Sequence, residues 1–255
     1  MKATLIISIY KNVPALQAVL DSLKAQTEQD FELILSEDGE DPTMASFIQH
    51  YDFPWVTRHL TQQDTGWRKE RALNNAVRTA HTDWLIFIDG DCVLHPRFIE
   101  MHIRHAAPNV ILAGKRMRLN PALSQQVLQH GLSHLWRNPF LLRGCSHIEE
   151  GIFCTRTPRK KVKHLIGSNM SMARQALLDI NGFDENYTLP ATGEDYDIEW
   201  RLLSSGYHMV SLKNLAVQYH LYHKENWNDN NENMIYCRQK QETQQIICRN
   251  GIDKL

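Results

Sequence analysis

Two aspartates separated by a single glycine, Asp89-Gly90-Asp91, follow the apolar run Trp84-Leu85-Ile86-Phe87-Ile88. An apolar strand ending this way delivers two carboxylates at its mouth, and Gly90 between them lets a ligand approach the backbone. Hard oxygen donors suit Mg2+ or Mn2+, commonly held by one or two carboxylates plus substrate phosphates. A turn in which Asp caps the next helix would use the same residues. A second acidic group, Glu37-Asp38-Gly39, follows the apolar run at 31–36; alone, it is better explained as a polar strand-to-helix turn. A third, Gly193-Glu194-Asp195-Tyr196-Asp197, puts three carboxylates within four residues. A helix cap needs fewer, and a base that draws a proton from a hydroxyl fits there. Last come His220 and His223, three apart after a short strand-like segment, a spacing able to add imidazole ligands to a metal.

These side chains need elements to position them. Runs at 4–10, 31–36, 55–60, 84–89 and 110–113 read as strands, and helical spacing marks 14–26, 43–50, 69–80 and 96–105. Such alternation predicts βαβ units and a mostly parallel α/β sheet with helices on its faces. Ligands then sit outside the carboxyl ends of the strands, where both early acidic groups fall. Further on, 121–136, 172–181, 196–205 and 233–249 read as helices, and 210–212 and 216–219 as short strands. The stretch before 165 is loop-rich and carries the basic run Arg156, Arg159, Lys160, Lys161 and Lys163. That run would steer an anionic ligand or touch an anionic membrane, or be a solvated loop. Trp67, Trp136 and Trp200 are candidates to stack on a ring-shaped ligand. Trp200 sits at helical spacing with Tyr196 and Leu203 and reads as core, whereas Trp67 lies beside glycine in a polar stretch.

Composition bounds the function. The 255 residues carry 28 Lys+Arg against 29 Asp+Glu, a net charge of −1. That excludes a basic nucleic-acid coat and an acidic disordered tail. Five widely spread cysteines without a CxxC pair indicate neither a disulfide framework nor a zinc ribbon. The apolar runs are strand-sized, far short of the roughly 18 residues that span a bilayer. Met1-Lys2-Ala3-Thr4 leads into a strand with no signal-like apolar region. The expectation is a cytoplasmic protein that binds no nucleic acid, with peripheral contact to a membrane as an option.

Taken in order, an early acidic turn, a central Asp-Gly-Asp, a late Glu-Asp and then His give a pattern. The chain resembles the inverting glycosyltransferases of family 2, which have the GT-A fold. The matching pieces are Ile6-Ile7-Ser8-Ile9-Tyr10-Lys11-Asn12, Ala25-Gln26-Thr27, Glu37-Asp38-Gly39, Gly66-Trp67-Arg68-Lys69, Asp89-Gly90-Asp91-Cys92, Gly182-Phe183-Asp184-Glu185 and Gly193-Glu194-Asp195. The stretch from Ile166-Gly167-Ser168-Asn169-Met170-Ser171 through Asp195 also resembles the galactosyltransferase-like region of capsule polymerases and β-1,4-galactosyltransferases. The resemblance covers residues 3–224. It implies a Rossmann-like GT-A domain over 1–224, with the nucleotide-binding part at about 1–118 and the acceptor part at about 119–224, then a helical tail at 225–255. It implies transfer of a hexose or N-acetylhexosamine from a UDP-sugar to a glycan or lipid-linked glycan acceptor. Bacterial capsule or lipopolysaccharide synthesis at the cytoplasmic face of the inner membrane is the implied setting.

Carried over residue by residue, the resemblance puts Ser8 and Tyr10 beside the nucleotide and pairs Asp38 with uracil. The segment with Trp67, Lys69 and Arg71 would close over the nucleotide. Asp89 and Gly90 would face the ribose and metal, and Asn169 would lie at the donor. Asp91 would ligate Mn2+ or Mg2+, with His220 or His223 completing the set. Asp195 would be the catalytic base, with Glu194 beside it for the acceptor. Two departures stand out: Glu37-Asp38-Gly39 replaces the usual Asp-Asp-Gly, and Tyr10-Lys11-Asn12 the common Tyr-Asn-Arg. Two other classes compete. A sugar-nucleotide nucleotidyltransferase usually carries a Gly-rich phosphate loop near its N-terminus, and residues 5–14 contain no Gly. A non-catalytic nucleotide- or glycan-binding module would not need Asp89, Asp91 and Asp195 together.

Overall fold

β1 (Ala3–Ile9) is apolar except at Thr4 and Ser8 and is buried at every position but Ser8, the pattern of a strand covered on both faces. It leads through α1 (Val13–Lys24), β2 (Phe31–Glu37), α2 (Pro42–His50), β3 (Thr57–Leu60), α3 (Lys69–Thr79) and β4 (Trp84–Asp89). Then follow β5 (Cys92–Leu94), α4 (Phe98–Arg104), β6 (Val110–Ala113), β7 (Lys115–Arg118), α5 (Pro121–His130), β8 (Asn169–Ala173) and α6 (Arg174–Asp179). The last elements are α7 (Glu194–Ser204), β9 (His208–Ser211), β10 (Val217–His220) and α8 (Glu232–Glu242). The structure is a computed structural model that describes residues 1–135, 139–155, 164–190, 193–224 and 232–255.

The main sheet has seven strands in the order β3-β2-β1-β4-β8-β6-β9. The first four are parallel, β8 is antiparallel to both its neighbours, and β6 and β9 are parallel. Leu5, Ile7 and Ile9 of β1 join a core with Leu16 and Leu20 of α1, Met44 of α2 and Leu123 of α5. Ile6 points the other way, into a core with Leu73 and Val77 of α3, Leu177 of α6 and Leu202 of α7. Each strand face is thus capped by helices. The chain places β2 on one side of β1 and β4 on the other, which opens a crevice at their carboxyl ends. Ser8 and Asp89 are register partners at that crevice.

A second sheet, β5-β10-β7, folds over the same end. Its register sets His220 of β10 opposite Cys92 of β5, and Gln218 opposite Arg116 of β7. The short Asp-Gly-Asp turn between β4 and β5 therefore faces the end of a strand more than a hundred residues later.

Several expectations are corrected. The helix read over 121–136 ends at His130, because Gly131 turns the chain with φ 70°; Trp136 lies outside the described residues. The stretch at 172 opens as strand β8, and α6 is a short helix stopped by Asn181 and Gly182, both at positive φ. Helix α7 starts at Glu194, two residues before the range read from the sequence, with both acids opening it as expected. Among the described residues, the tail is helical only over α8. Residues beyond it pack back on the domain: Cys248 and Ile252 are buried, and Asn181 Nδ2 donates to the Cys248 and Asp253 carbonyls. The basic run at 156–163 lies outside the described residues. Among the described residues, no helix is long and apolar enough to cross a membrane, and all five cysteines are free.

Candidate active site

Asp89 ends β4 between two cations. Lys69 Nζ donates to its Oδ1 at 2.6 Å, and Arg116 Nη1 stands 3.7 Å from its Oδ2. Burial opposes the charge, but Lys69 and Arg116 outweigh it and hold the carboxyl below the usual aspartate range. Gly90 N–H donates to Ser8 O at 2.7 Å. A Cβ on Gly90 would lie 2.8 Å from Ile9 Cγ2 and 3.0 Å from Ser8 O. Glycine is thus required here by close packing of the turn on β1.

Asp91 projects toward the second sheet. Its Oδ2 is 3.4 Å from His220 Nε2 and 3.4 Å from His223 Nε2. Sequence left a choice between the two histidines; the structure brings both to one oxygen. One ligand atom from each of the three residues lies within 4.8 Å of the others. Burial and Arg116 push His220 down to about 3, so its ring is neutral and keeps a free lone pair. Burial and the Asp89 charge push Asp91 up to about 6, as happens when two carboxyls share a small space. One carboxylate with two imidazoles is a donor set that fits a divalent cation.

On the other side of the crevice, Asp195 stands in the first turn of α7. Gly167 packs against it so closely that a Cβ there would lie 2.6 Å from Asp195 Oδ1. A helix N-terminus favours an ionised carboxylate, yet burial prevails. The Asp195 carboxyl is raised above the ordinary aspartate range despite the Gly167 N–H and Lys69. Glu194 is pushed up to about 9 by burial, Asp195 and Glu70. A carboxylate with a raised pKa is a stronger proton acceptor. Lys69 and Arg116 act on both Asp89 and Asp195, so the two halves of the site share their cations.

At the nucleotide side, Asp38 is 9% exposed and accepts from Gln62 Nε2 and from Arg68 N–H, each at 2.8 Å. It pins the 61–68 loop across the end of β2. Tyr10 is 53% exposed; its hydroxyl donates to Asp64 Oδ2 at 3.2 Å, and Lys11 Nζ lies 2.7 Å from that oxygen. Ser8 and Trp67 are partly buried at the same end. Arg71 is exposed on α3 and makes no hydrogen bond or ion pair to a described residue. Asn169 is 0% exposed, and its amide is taken up inside the protein. Its Nδ2 donates to Lys115 O and Ala216 O, and its Oδ1 faces His102 Nε2. In this structure it buttresses the β6–β7 bend and presents no free polar atom to the crevice. Glu37, beside Asp38, is engaged by His59 at 2.7 Å and by the Asp41 N–H, so it shapes the turn.

Three residues here escaped sequence reasoning: Arg116, Glu70 and Gln62. Arg116 also donates to Ser168 Oγ at 2.9 Å, which ties it to the stretch leading into β8.

A mostly parallel sheet with an acidic turn at its switch point and a second sheet closing over it defines the GT-A class of fold. Within that class the chain belongs to glycosyl transferase family 2. The family described as Glycosyl transferase family 2 matches residues 4–180, and one described as N-terminal domain of galactosyltransferase matches residues 153–224. The chain is 28% identical over 108 residues to a validoxylamine A glucosyltransferase of Streptomyces hygroscopicus subsp. jinggangensis, covering 41% of this chain and 26% of that protein. The match therefore spans about a quarter of that relative's length. Among solved structures, mannosyltransferase PcManGT from Pyrobaculum calidifontis in complex with GDP-Man and Mn2+ is similar with a TM-score of 0.60 at 17% identity, over 89% of this chain and 58% of that one. S. aureus TarS 1–349 in complex with UDP-GlcNAc is similar with a TM-score of 0.62 at 14% identity, over 93% of this chain and 64% of that one. At these identities the likeness is one of fold.

Proposed function

We propose that this chain is a metal-dependent inverting glycosyltransferase that moves a hexose or N-acetylhexosamine from a UDP-sugar to a glycan acceptor. The observation that carries this is the sharing of Lys69 and Arg116 between the Asp89–Asp91 turn and Asp195. A leaving nucleoside diphosphate departs with growing negative charge. Two fixed cations beside the crevice stabilise that charge where it develops. Asp91, His220 and His223 would hold a divalent cation, which when bound acts as a Lewis acid on the diphosphate. Their two imidazole donors favour Mn2+ over Mg2+.

Asp195 takes the proton of the acceptor hydroxyl as attack proceeds. One displacement inverts the anomeric carbon, so an α-linked donor gives a β-glycoside. Asp38 accepts the uracil imide N–H, a donor that cytosine lacks; its bonds to Gln62 and Arg68 leave it lone pairs for this. Tyr10, Trp67 and Arg71 line the nucleotide side, and Glu194 meets the acceptor. The acceptor is read as a growing glycan, free or lipid-linked, in bacterial surface polysaccharide synthesis. The basic run at 156–163 supports an anionic acceptor or membrane surface by its charge. The test is a panel of UDP-glucose, UDP-galactose, UDP-GlcNAc and GDP-mannose, with Mn2+ or with chelator, scored for nucleotide release. Mn2+-dependent release from a UDP-sugar is expected. Release from none, or equal release in chelator, overturns the reading.

A further inference from the structure

Two carboxyl oxygens at this site are buried without a hydrogen-bond partner: Glu70 Oε2 and Glu194 Oε2. Glu70 is 2% exposed and stands in the first turn of α3. Besides burial, the charges that act on it come from Lys69, Asp195 and Asp38, and it in turn raises Glu194. It therefore feels the charges of both the nucleotide side of the crevice and the base, the two groups that the transferred sugar must lie between.

An acid in the first turn of a helix complements the helix dipole. An exposed acid does that equally well, so the dipole explains neither the burial nor the idle oxygen. Nor is Glu70 the main counter-ion of Lys69, whose ammonium donates to Asp89 at 2.6 Å. A buried polar atom left unpaired costs about 1–3 kcal/mol, and its persistence calls for a partner from outside the chain.

We propose that Glu70 is a specificity residue of the donor site, whose carboxyl binds a hydroxyl group of the sugar being transferred. The inference rests on the glycosyltransferase reading above. Burial pushes Glu70 up to about 8, so near neutral pH it holds its proton. A neutral carboxyl offers one O–H donor as well as acceptor oxygens, which complements a hydroxyl that is itself both. A neutral group also avoids repelling the diphosphate. The substrate class is thus a neutral sugar with free hydroxyls facing α3, and a donor lacking them leaves Glu70 unpaired again.

Calorimetric titration in Mn2+ tests this, with UDP, UDP-glucose, UDP-galactose and UDP-GlcNAc against wild type, Glu70→Gln and Glu70→Leu. Wild type is expected to bind at least one UDP-sugar more tightly than UDP. In Glu70→Leu that ratio should fall about tenfold, the loss of one buried hydrogen bond, with UDP affinity itself changed less than about twofold. Glu70→Gln should keep part of the ratio. It should also unfold at an equal or higher temperature at pH 7.5. The folded protein holds this acid protonated where the unfolded chain would ionise it, so removing it relieves a penalty. Variants that keep the wild-type ratio, or a Glu70→Gln protein with a clearly lowered unfolding midpoint, overturn the inference alone. A wild type that binds none of the probes overturns the glycosyltransferase reading and this inference with it.

Discussion

Replacing Lys240 with methionine removes a cation that the fold has no means to substitute. Lys240 is 1% exposed in α8, and its ammonium lies 2.6 Å from Asp184 Oδ2 and 2.7 Å from Asp197 Oδ1. Asp197 pairs also with Arg201 at 2.7 Å, and Arg201 Nη1 donates to the Ile180 and Gly182 carbonyls. Two carboxylates and two cations balance inside the protein; Lys240→Met leaves two carboxylates to one cation. Asp184 would keep the Tyr236 hydroxyl at 3.0 Å and the Asn186 N–H at 3.1 Å, so it remains hydrogen-bonded but without its counter-charge. Removing one partner of a buried pair costs about 3–5 kcal/mol. At about 2–4 °C per kcal/mol for a chain near this size, the unfolding midpoint should fall by roughly 10 °C. The effect should reach the site, because Asp197 lies two residues after Asp195 on α7. Gly193, which caps that helix, also packs on Asn233 of α8. The assay is thermal unfolding at pH 7 followed by circular dichroism, with turnover and UDP affinity measured on the same protein below its midpoint. Turnover should drop more than UDP affinity, whose proposed contacts lie away from α7 and α8, at the ends of β1, β2 and β4 and the start of α3. A midpoint within about 2 °C of wild type would refute the reasoning, since it would mean that the buried network is not holding α8 to α7.

Three further outcomes are expected. Gly90→Ala should lower both the unfolding midpoint and Mn2+-dependent UDP affinity, because its Cβ would meet Ile9 Cγ2 at 2.8 Å; overpacking of this kind costs about 1–3 kcal/mol, and wild-type values for both would contradict it. Turnover at saturating donor should rise with pH through a limb above the ordinary aspartate range, set jointly by Asp195 and Glu194; a rate flat from about pH 4 to 8 would exclude Asp195 as the base. Burial holds His102 neutral, down to about 3 from an ordinary 6.5. The unfolded chain takes up that proton first, so stability should fall by about 1.4 kcal/mol per unit as pH drops from 6.5 toward 3. Urea unfolding at several pH values should show a shallower slope for His102→Gln, and equal slopes would sink the assignment.

The two early acidic turns were legible because each is a contiguous string at the end of a strongly apolar run. Arg116 was not. It sits on β7, four residues of Lys-Arg-Met-Arg with no period to read, and reaches Asp89 only because β7 pairs with β10 about a hundred residues later. Glu70 hides inside a helical pattern, where an acid in the first turn is ordinary. Asn169 belongs to a string that resembles a donor-site motif, yet β8 enters the sheet antiparallel between β4 and β6 and turns its amide inward. The inward network also assigns a tautomer: Asn169 Nδ2 donates twice, so its Oδ1 accepts from His102 Nε2–H, and His102 Nδ1 accepts from Ser171 Oγ–H. No local pattern signals that partnership. The tail's return onto the domain was equally invisible, because it depends on Lys240 meeting two aspartates from distant segments.

In the proposed mechanism Asp91 holds the donor through the metal and Asp195 takes the proton, and one paired measurement separates the two roles. UDP binding by calorimetry in Mn2+ and UDP release from the best UDP-sugar should be read on the same preparations of wild type, Asp91→Asn and Asp195→Asn. Asp195→Asn should bind UDP and Mn2+ nearly as wild type does while release to acceptor falls about 10²–10⁴-fold. Asp91→Asn should lose the Mn2+-dependent part of UDP binding while keeping its fold. If Asp195→Asn instead loses UDP binding but turns over normally at saturating donor, or if Asp91→Asn works in chelator as well as wild type does in Mn2+, the assignment of base and metal ligand is contradicted.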